Sequence, residues 1–275
     1  MSVLRQLLKS AFTTALPRSW LMMHGPRHQS RSDVPHGSGI ELALTFDDGP
    51  HPEQTPRLLD VLAATGAKGT FFVIGEKALR YPKLIRRMAD EGHEIGNHTW
   101  THSEPSRTSA ARFLVEVAQT RRLIQNLTGR DCRLMRPPKG ALSVGKALGL
   151  WRQHQTIALW NIDPQDFAMP DDAAMHGWLN GYQPQSGDVV LLHDNHPHAT
   201  IAVESLTAGT DAATRFVTLS DWLGIRPHPA CLDGAKDGEL SADAGVRHFG
   251  ISELAGANFE IPKCQTPERE VVNVD

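Results

Sequence analysis

Glu41-Leu42-Ala43-Leu44-Thr45-Phe46-Asp47-Asp48-Gly49-Pro50 is the stretch that decides how this chain is read. Residues 41–46 have the composition of a short strand. They run straight into two adjacent carboxylates and a turn-forming Gly-Pro pair. About fifty residues on, Glu94–His98 is again strand-like and opens into His98-Thr99-Trp100-Thr101-His102. Two carboxylates and two imidazoles therefore arrive at strand ends. One carboxylate with two histidines makes an oxygen–nitrogen set suited to a divalent metal such as zinc. The second carboxylate is then free to act as a general base beside it.

Working outward, the pattern between these stretches alternates strand and helix. Thr55 is placed to cap a helix with Pro56 at its first position; Leu58, Leu59 and Leu62 form its apolar stripe and Gly66 ends it. Gly69–Ile74 reads as a buried strand, and Pro82–Glu91 as a helix stopped by Gly92. Ser109–Thr128 is the longest helix, followed by Gly129. Leu134–Arg136, Thr156–Asn161, Asp188–His193 and Arg215–Leu219 read as strands, with helices over Val144–Trp151, Asp172–Leu179 and Ala199–Ala213. Such alternation implies an α/β fold with a parallel sheet, and about seven units between Glu41 and Leu223 are enough to close a barrel. Barrel chemistry sits at the C-terminal ends of strands. Asp47-Asp48, His98, Arg136, Asp163 or Asp166, and His193 all fall just past the apolar part of their own strand.

The bulk properties narrow the function. The 275 residues are 40% apolar and carry a formal charge of −3, which speaks against nucleic-acid binding through bulk electrostatics. Three scattered cysteines (Cys132, Cys231, Cys264) match no paired metal spacing and no disulfide framework, which points to a reducing compartment. No run of roughly 18 apolar residues marks a transmembrane segment. Leu4, Leu7, Leu8, Ala11, Phe12 and Leu16 recur at helical spacing among Arg5, Lys9 and Arg18, so residues 1–23 read as a basic amphipathic helix. It either packs against the domain or makes peripheral membrane contact. It lacks the continuous apolar core of a secretory signal, and a cytoplasmic or membrane-peripheral location is the expectation. Three regions result: 1–39 as amphipathic segment and linker, 40–223 as the catalytic domain, and 224–275 as an irregular extension.

Thr-Phe-Asp-Asp-Gly-Pro at 45–50, His-Thr-Trp-Thr-His at 98–102, Arg-Pro-Pro-Lys-Gly at 136–140, Asp-Pro-Gln-Asp-Phe at 163–167 and Leu-Leu-His-Asp at 191–194 follow one another in this order. Together they resemble the polysaccharide deacetylases with a NodB homology domain, carbohydrate esterase family four. The resemblance implies a distorted (β/α)7-type barrel. It implies Asp48, His98 and His102 as ligands of a divalent metal, zinc first, with cobalt and nickel as alternatives. Two imidazoles at i and i+4 point the same way on a helix or on a strand, which suits one shared ion.

The same resemblance makes Asp47 the base that takes a proton from the attacking water, and His193 the acid that protonates the departing amine. Asp166 holds and tunes His193, and Arg136 pairs with Asp47. Leu191 and Phe167 line the acetyl-methyl pocket, Pro138 and Lys139 face the substrate, and the backbone N–H at 139 serves the oxyanion. The partner implied is an acetylated glycan, N-acetyl or O-acetyl.

Two positions depart from the family pattern. Lys139 stands where an aromatic is usual, and either meets an anionic glycan or points to water. Phe167 replaces the commoner Trp. His196 and His198 read as loop histidines without a catalytic role. Two other functions remain compatible: an amidohydrolase of the same fold acting on a small non-sugar amide or imide, and a carbohydrate-binding protein with a degenerate site.

Overall fold

The computed structural model describes residues 17–25, 40–209 and 214–224. Most of the N-terminal amphipathic segment and linker, and all but one residue of the region 224–275, lie outside the described residues. The elements are β1 (Leu21–Met22), β2 (Glu41–Gly49), α1 (Gln54–Thr65), β3 (Gly69–Val73), α2 (Gly75–Arg80), α3 (Pro82–Asp90), β4 (Glu94–Asn97), α4 (Ala110–Thr128), β5 (Leu134–Met135), α5 (Val144–Arg152), β6 (Thr156–Ala158), α6 (Asp172–Gly181), β7 (Val189–His193), α7 (His198–Gly209), β8 (Arg215–Phe216) and α8 (Leu219–Leu223). Short 3-10 turns occupy Pro138–Gly140 and Asp166–Ala168.

Every strand pair is parallel, in the order β1-β6-β5-β4-β3-β2-β7, with β8 added to the start of β2. The sheet curls back on itself. Just after β6, Ile162 forms a single parallel bridge to Val190 of β7, and Leu191 N donates to Ile162 O at 2.9 Å. The chain just past β6 thus touches β7, at the far end of the strand order, through one irregular bridge, and the parallel α/β sheet agrees with the expected barrel-type fold.

Strand alternation explains the two faces of β2. Leu42, Leu44 and Phe46 pack outward with Leu58, Leu59 and Leu62 of α1 in the main core. Ala43 belongs to a second cluster with Phe72, Leu134, Ala158 and Val189. Thr45 and Asp47 follow Ala43 at the same period. Burying this many aliphatic and aromatic side chains, each worth roughly 1.5–3 kcal/mol, is what holds the strand ends in place.

Several boundaries differ from the sequence reading for identifiable reasons. Residues 17–23 are not helical: Leu21 and Met22 form an edge strand against β6. Without it, Ile157 N and Leu159 N would be unpaired; they donate to Trp20 O and Met22 O. Trp20 also lies against Trp151 at 5.0 Å between ring centroids. Thr55 is not the cap of α1, which starts one residue earlier. Its hydroxyl instead donates to Asp194 Oδ2 at 2.6 Å. β5 and β6 end earlier than the sequence reading, at Met135 and Ala158. Leu219 begins a helix, with Thr218 and Asp221 forming its capping box.

The close approach of β4 to β3 depends on Gly96. A Cβ there would stand 2.5 Å from Phe72 Cδ1. Gly96→Ala is therefore expected to destabilise the fold by about 1–3 kcal/mol, the range for overpacking a filled core. A urea unfolding midpoint equal to that of the unaltered protein would show that Phe72 yields freely.

Candidate active site and metal centre

Two adjacent residues on a regular strand point to opposite faces. Asp47 and Asp48 do not obey this rule, because the β2–β3 register shifts between Asp47 and Gly49. Asp48 is the bulged residue and sits in the left-handed region at φ 70°. Aspartate tolerates this conformation better than most residues. The bulge lets both carboxylates approach one histidine: His98 Nε2 is 3.7 Å from Asp47 Oδ2 and 3.4 Å from Asp48 Oδ1. Gly49 follows because Asp194 lies against it; a Cβ would come within 2.1 Å of that carboxylate.

His102 Nε2 lies 3.3 Å from the same Asp48 Oδ1, and the two imidazole centroids are 4.9 Å apart. The expected i, i+4 convergence holds, but neither a helix nor a strand produces it. His98 directly follows β4, and the loop after it contains two non-glycine residues at positive φ, Thr99 at 66° and His102 at 55°. The His98 ring is oriented from behind, with Nδ1 2.8 Å from Arg136 O. A proton on Nδ1 donates to that carbonyl and leaves the Nε2 lone pair facing Asp48.

These three side chains suit a cation. One donor atom from each of Asp48, His98 and His102 lies within 4.8 Å of the others. Asp48 Oδ1 is buried and has no hydrogen-bond partner, an arrangement that is costly unless a positive charge compensates it. Burial by itself would raise the Asp48 pKa; His98 and His102 outweigh it and hold the group well below the usual carboxylate range. Burial, with His98 beside it, pushes the His102 pKa down, which favours the neutral imidazole a metal needs.

Asp47 is held from the interior. Arg136 is fully buried and its Nη1 donates to Asp47 Oδ1 at 2.8 Å and Thr45 Oγ1 at 2.9 Å. Its Nε and Nη2 donate to Ala158 O and Leu159 O. Its guanidinium lies 4.1 Å from the Phe72 ring centroid. Burial lowers the Arg136 pKa, and Asp47 opposes that shift.

On the opposite side, β7 delivers His193 beside Asp47 in register. Asp166 grips it twice: Oδ1 is 2.7 Å from His193 Nδ1, and Oδ2 accepts from His193 N at 2.8 Å. Burial acts to lower the His193 pKa, but the Asp166 bond and charge prevail and raise it. Asp163 does not join this group; its Oδ1 accepts from Gln165 N and shapes the turn.

The remaining residues fall around this rim. Phe167 is 53% exposed and meets the His193 ring edge-on at 5.1 Å. Leu191 is buried on β7 opposite Thr45. Pro138 is buried, while Lys139 adopts a left-handed conformation at φ 57°. The Lys139 side chain is exposed at the rim, where its Nζ pairs with Glu104 Oε2 at 2.5 Å. His196 lies near His193, whereas His198 is not a loop residue: it opens α7 and its Nδ1 contacts Asp166 O at 2.9 Å. Sequence reading missed Thr45, Asp194, Glu104 and Glu116 as parts of the surroundings. Thr45 and Asp194 lie inside the quoted motifs, which gave them no role, and Glu104 and Glu116 act through contacts that no local motif marks.

Known proteins resemble this chain in sequence and fold. The polysaccharide deacetylase family model matches residues 36–150. The chitooligosaccharide deacetylase of Rhizobium leguminosarum bv. phaseoli is 35% identical over 221 residues, covering 74% of this chain and 89% of that protein. The peptidoglycan-N-acetylmuramic acid deacetylase PdaC of Bacillus subtilis is 31% identical over 228 residues, covering 80% of this chain. The match spans 47% of PdaC, about half its length. The solved PdaC structure superposes with a TM-score of 0.61 at 30% identity, covering 68% of this chain and 92% of that one. The Bc1960 peptidoglycan N-acetylglucosamine deacetylase gives 0.65 at 28% identity, covering 74% and 92%. The chain belongs to the polysaccharide deacetylase family, the one its five motifs resemble.

Among the described residues no helix is long and apolar enough to cross a membrane. For the metal centre, His98→Ala is expected to weaken zinc binding by at least roughly tenfold, since one of three donors is lost. Equilibrium dialysis of the folded variant measures this; undiminished binding would place the ion elsewhere.

Proposed function

We propose that this chain is a metal-dependent hydrolase that removes acetyl groups from an acetylated glycan, N-acetyl in the first place and O-acetyl in the second. The observation that carries this reading is the Asp48, His98 and His102 cluster beside a second carboxylate, Asp47, fixed by a buried arginine. Names of relatives narrow the substrate. Chitooligosaccharide and peptidoglycan N-acetylglucosamine deacetylases have an N-acetylated amino sugar in common, and we take that unit as the substrate here.

Asp48, His98 and His102 would hold the divalent ion, zinc first, with cobalt or nickel as alternatives. When bound, the ion supplies Lewis acidity to the acyl oxygen and activates water. Asp47 accepts a proton from the attacking water, and Arg136 keeps its carboxylate turned toward the site. His193 gives its proton to the amine nitrogen as the C–N bond breaks, so acetate and a free amine leave. The backbone N–H at 139 serves the oxyanion, Leu191 and Phe167 border the acetyl methyl, and Pro138 shapes the wall beside Lys139. The half-exposed Phe167 at the rim suits a polymer lying across an open groove better than a small amide sealed in a pocket.

Two outcomes test the roles. Asp47→Asn should keep the fold and the zinc while acetate release from N-acetylated oligosaccharides falls about 10²–10⁴-fold; unchanged turnover would remove Asp47 as the base. Asp166 raises the His193 pKa and so keeps the acid protonated to higher pH. Asp166→Asn should therefore move the alkaline limb of the kcat/KM profile to lower pH. A limb that stays in place, or moves up, would assign it to another group.

A further inference from the structure

We propose that Glu116, on α4, is the positioning residue that aims His102 into the metal site. This inference rests on the metal-centre reading above and extends it beyond the three donors.

The two histidines are supported differently. The His98 ring is fixed by Arg136 O behind it. The His102 ring makes no hydrogen bond among the described residues, although metal-binding imidazoles ordinarily have a partner on the far nitrogen. Its aim therefore depends on its backbone, which is left-handed at φ 55° and follows a second left-handed residue, Thr99. A loop of this kind needs restraint from outside, because the conformation is unfavourable for both residues.

Glu116 supplies that restraint. Its side chain is 2% exposed, which is unusual for a carboxylate on a helix. Oε2 accepts from Thr101 N at 3.2 Å, from Thr101 Oγ1 at 3.1 Å and from Ser103 Oγ at 3.4 Å. The bonds thus fall on the residues immediately before and after His102. Oε1 is taken by Arg112 Nε at 3.1 Å, one helical turn earlier. The surrounding bonds run the same way. Asn97 Oδ1 accepts from Thr99 N, Thr99 Oγ1 accepts from His102 N, and Lys146 Nζ donates to Pro105 O. Among the described residues, only the Glu116 carboxylate bridges the residues on both sides of His102.

The test measures zinc affinity of the full chain by competition with a chromophoric chelator, below the unfolding temperature of every variant. Glu116→Ala should bind zinc about 10–100-fold more weakly, the range for loss of a group that orients a ligand. Glu116→Gln keeps one acceptor oxygen and should recover part of the affinity. Thr101→Val removes a single bond and should lose less than Glu116→Ala. Asp188→Asn disturbs another buried carboxylate, bonded to Asn161 and Tyr182, and should leave zinc affinity unchanged. Should Glu116→Ala not fold, Glu116→Gln and Thr101→Val decide the matter by the same measurement. Folded Glu116 and Thr101 variants that bind zinc like the unaltered chain overturn the proposal, as does an equal loss in Asp188→Asn. Failure of the unaltered chain to bind zinc overturns the metal reading itself, and this inference with it.

Discussion

The buried guanidinium of Arg136 is the group on which the rest of this structure depends. Moving an arginine out of water costs several kcal/mol unless its N–H groups and charge are matched. Here the matching partners come from two strands and the exit of one: Thr45 and Asp47 of β2, Ala158 of β6 and Leu159 just beyond it. The aromatic faces of Phe72 and Trp160 complete the enclosure. The carbonyl of Arg136 itself receives His98 Nδ1. One residue thereby fixes a carboxylate, an imidazole and the spacing of the strands between them.

Around that centre, backbone irregularity does the aiming. The bulge at Asp48 brings consecutive carboxylates to one site, and left-handed Thr99 and His102 bring two imidazoles to one oxygen. Such conformations cost of order 1–3 kcal/mol each and persist only where the surroundings over-determine them. Asn97, Glu116 and Lys77 make those surroundings; Lys77 Nζ holds the Asp48 carbonyl at 2.7 Å. On the far side, His193 needs no strained backbone, because the bidentate contact of Asp166 fixes both its ring and its N–H.

Much of this was legible before any coordinates. Alternating apolar strands and helices gave the parallel α/β architecture, because buried parallel strands need helices on their outer face. The motifs placed Asp47, Asp48, His98, His102, Arg136, Asp166 and His193 at strand ends, and all of them gather at one rim. The misreadings share one cause. Leu21 and Met22 looked helical by spacing yet form a strand, because a free edge of β6 was there to pair. Thr55 looked like a cap, yet its hydroxyl goes to Asp194, 139 positions away.

Sequence by itself determined the identities of the chemical groups and the strand ends that carry them. Hydrophobic periodicity and turn chemistry are local properties, and they place an Asp-Asp or a His-x-x-x-His at the edge of an apolar run without reference to anything distant. Only the tertiary structure decided how those groups face one another. The direction of a side chain past the end of a strand is set by bulges, positive φ angles and hydrogen bonds to residues remote in sequence. Asp48 and His102 owe their aim to contacts with other segments. That is why the donors could be read from the chain while Glu116, which we propose aims one of them, could not.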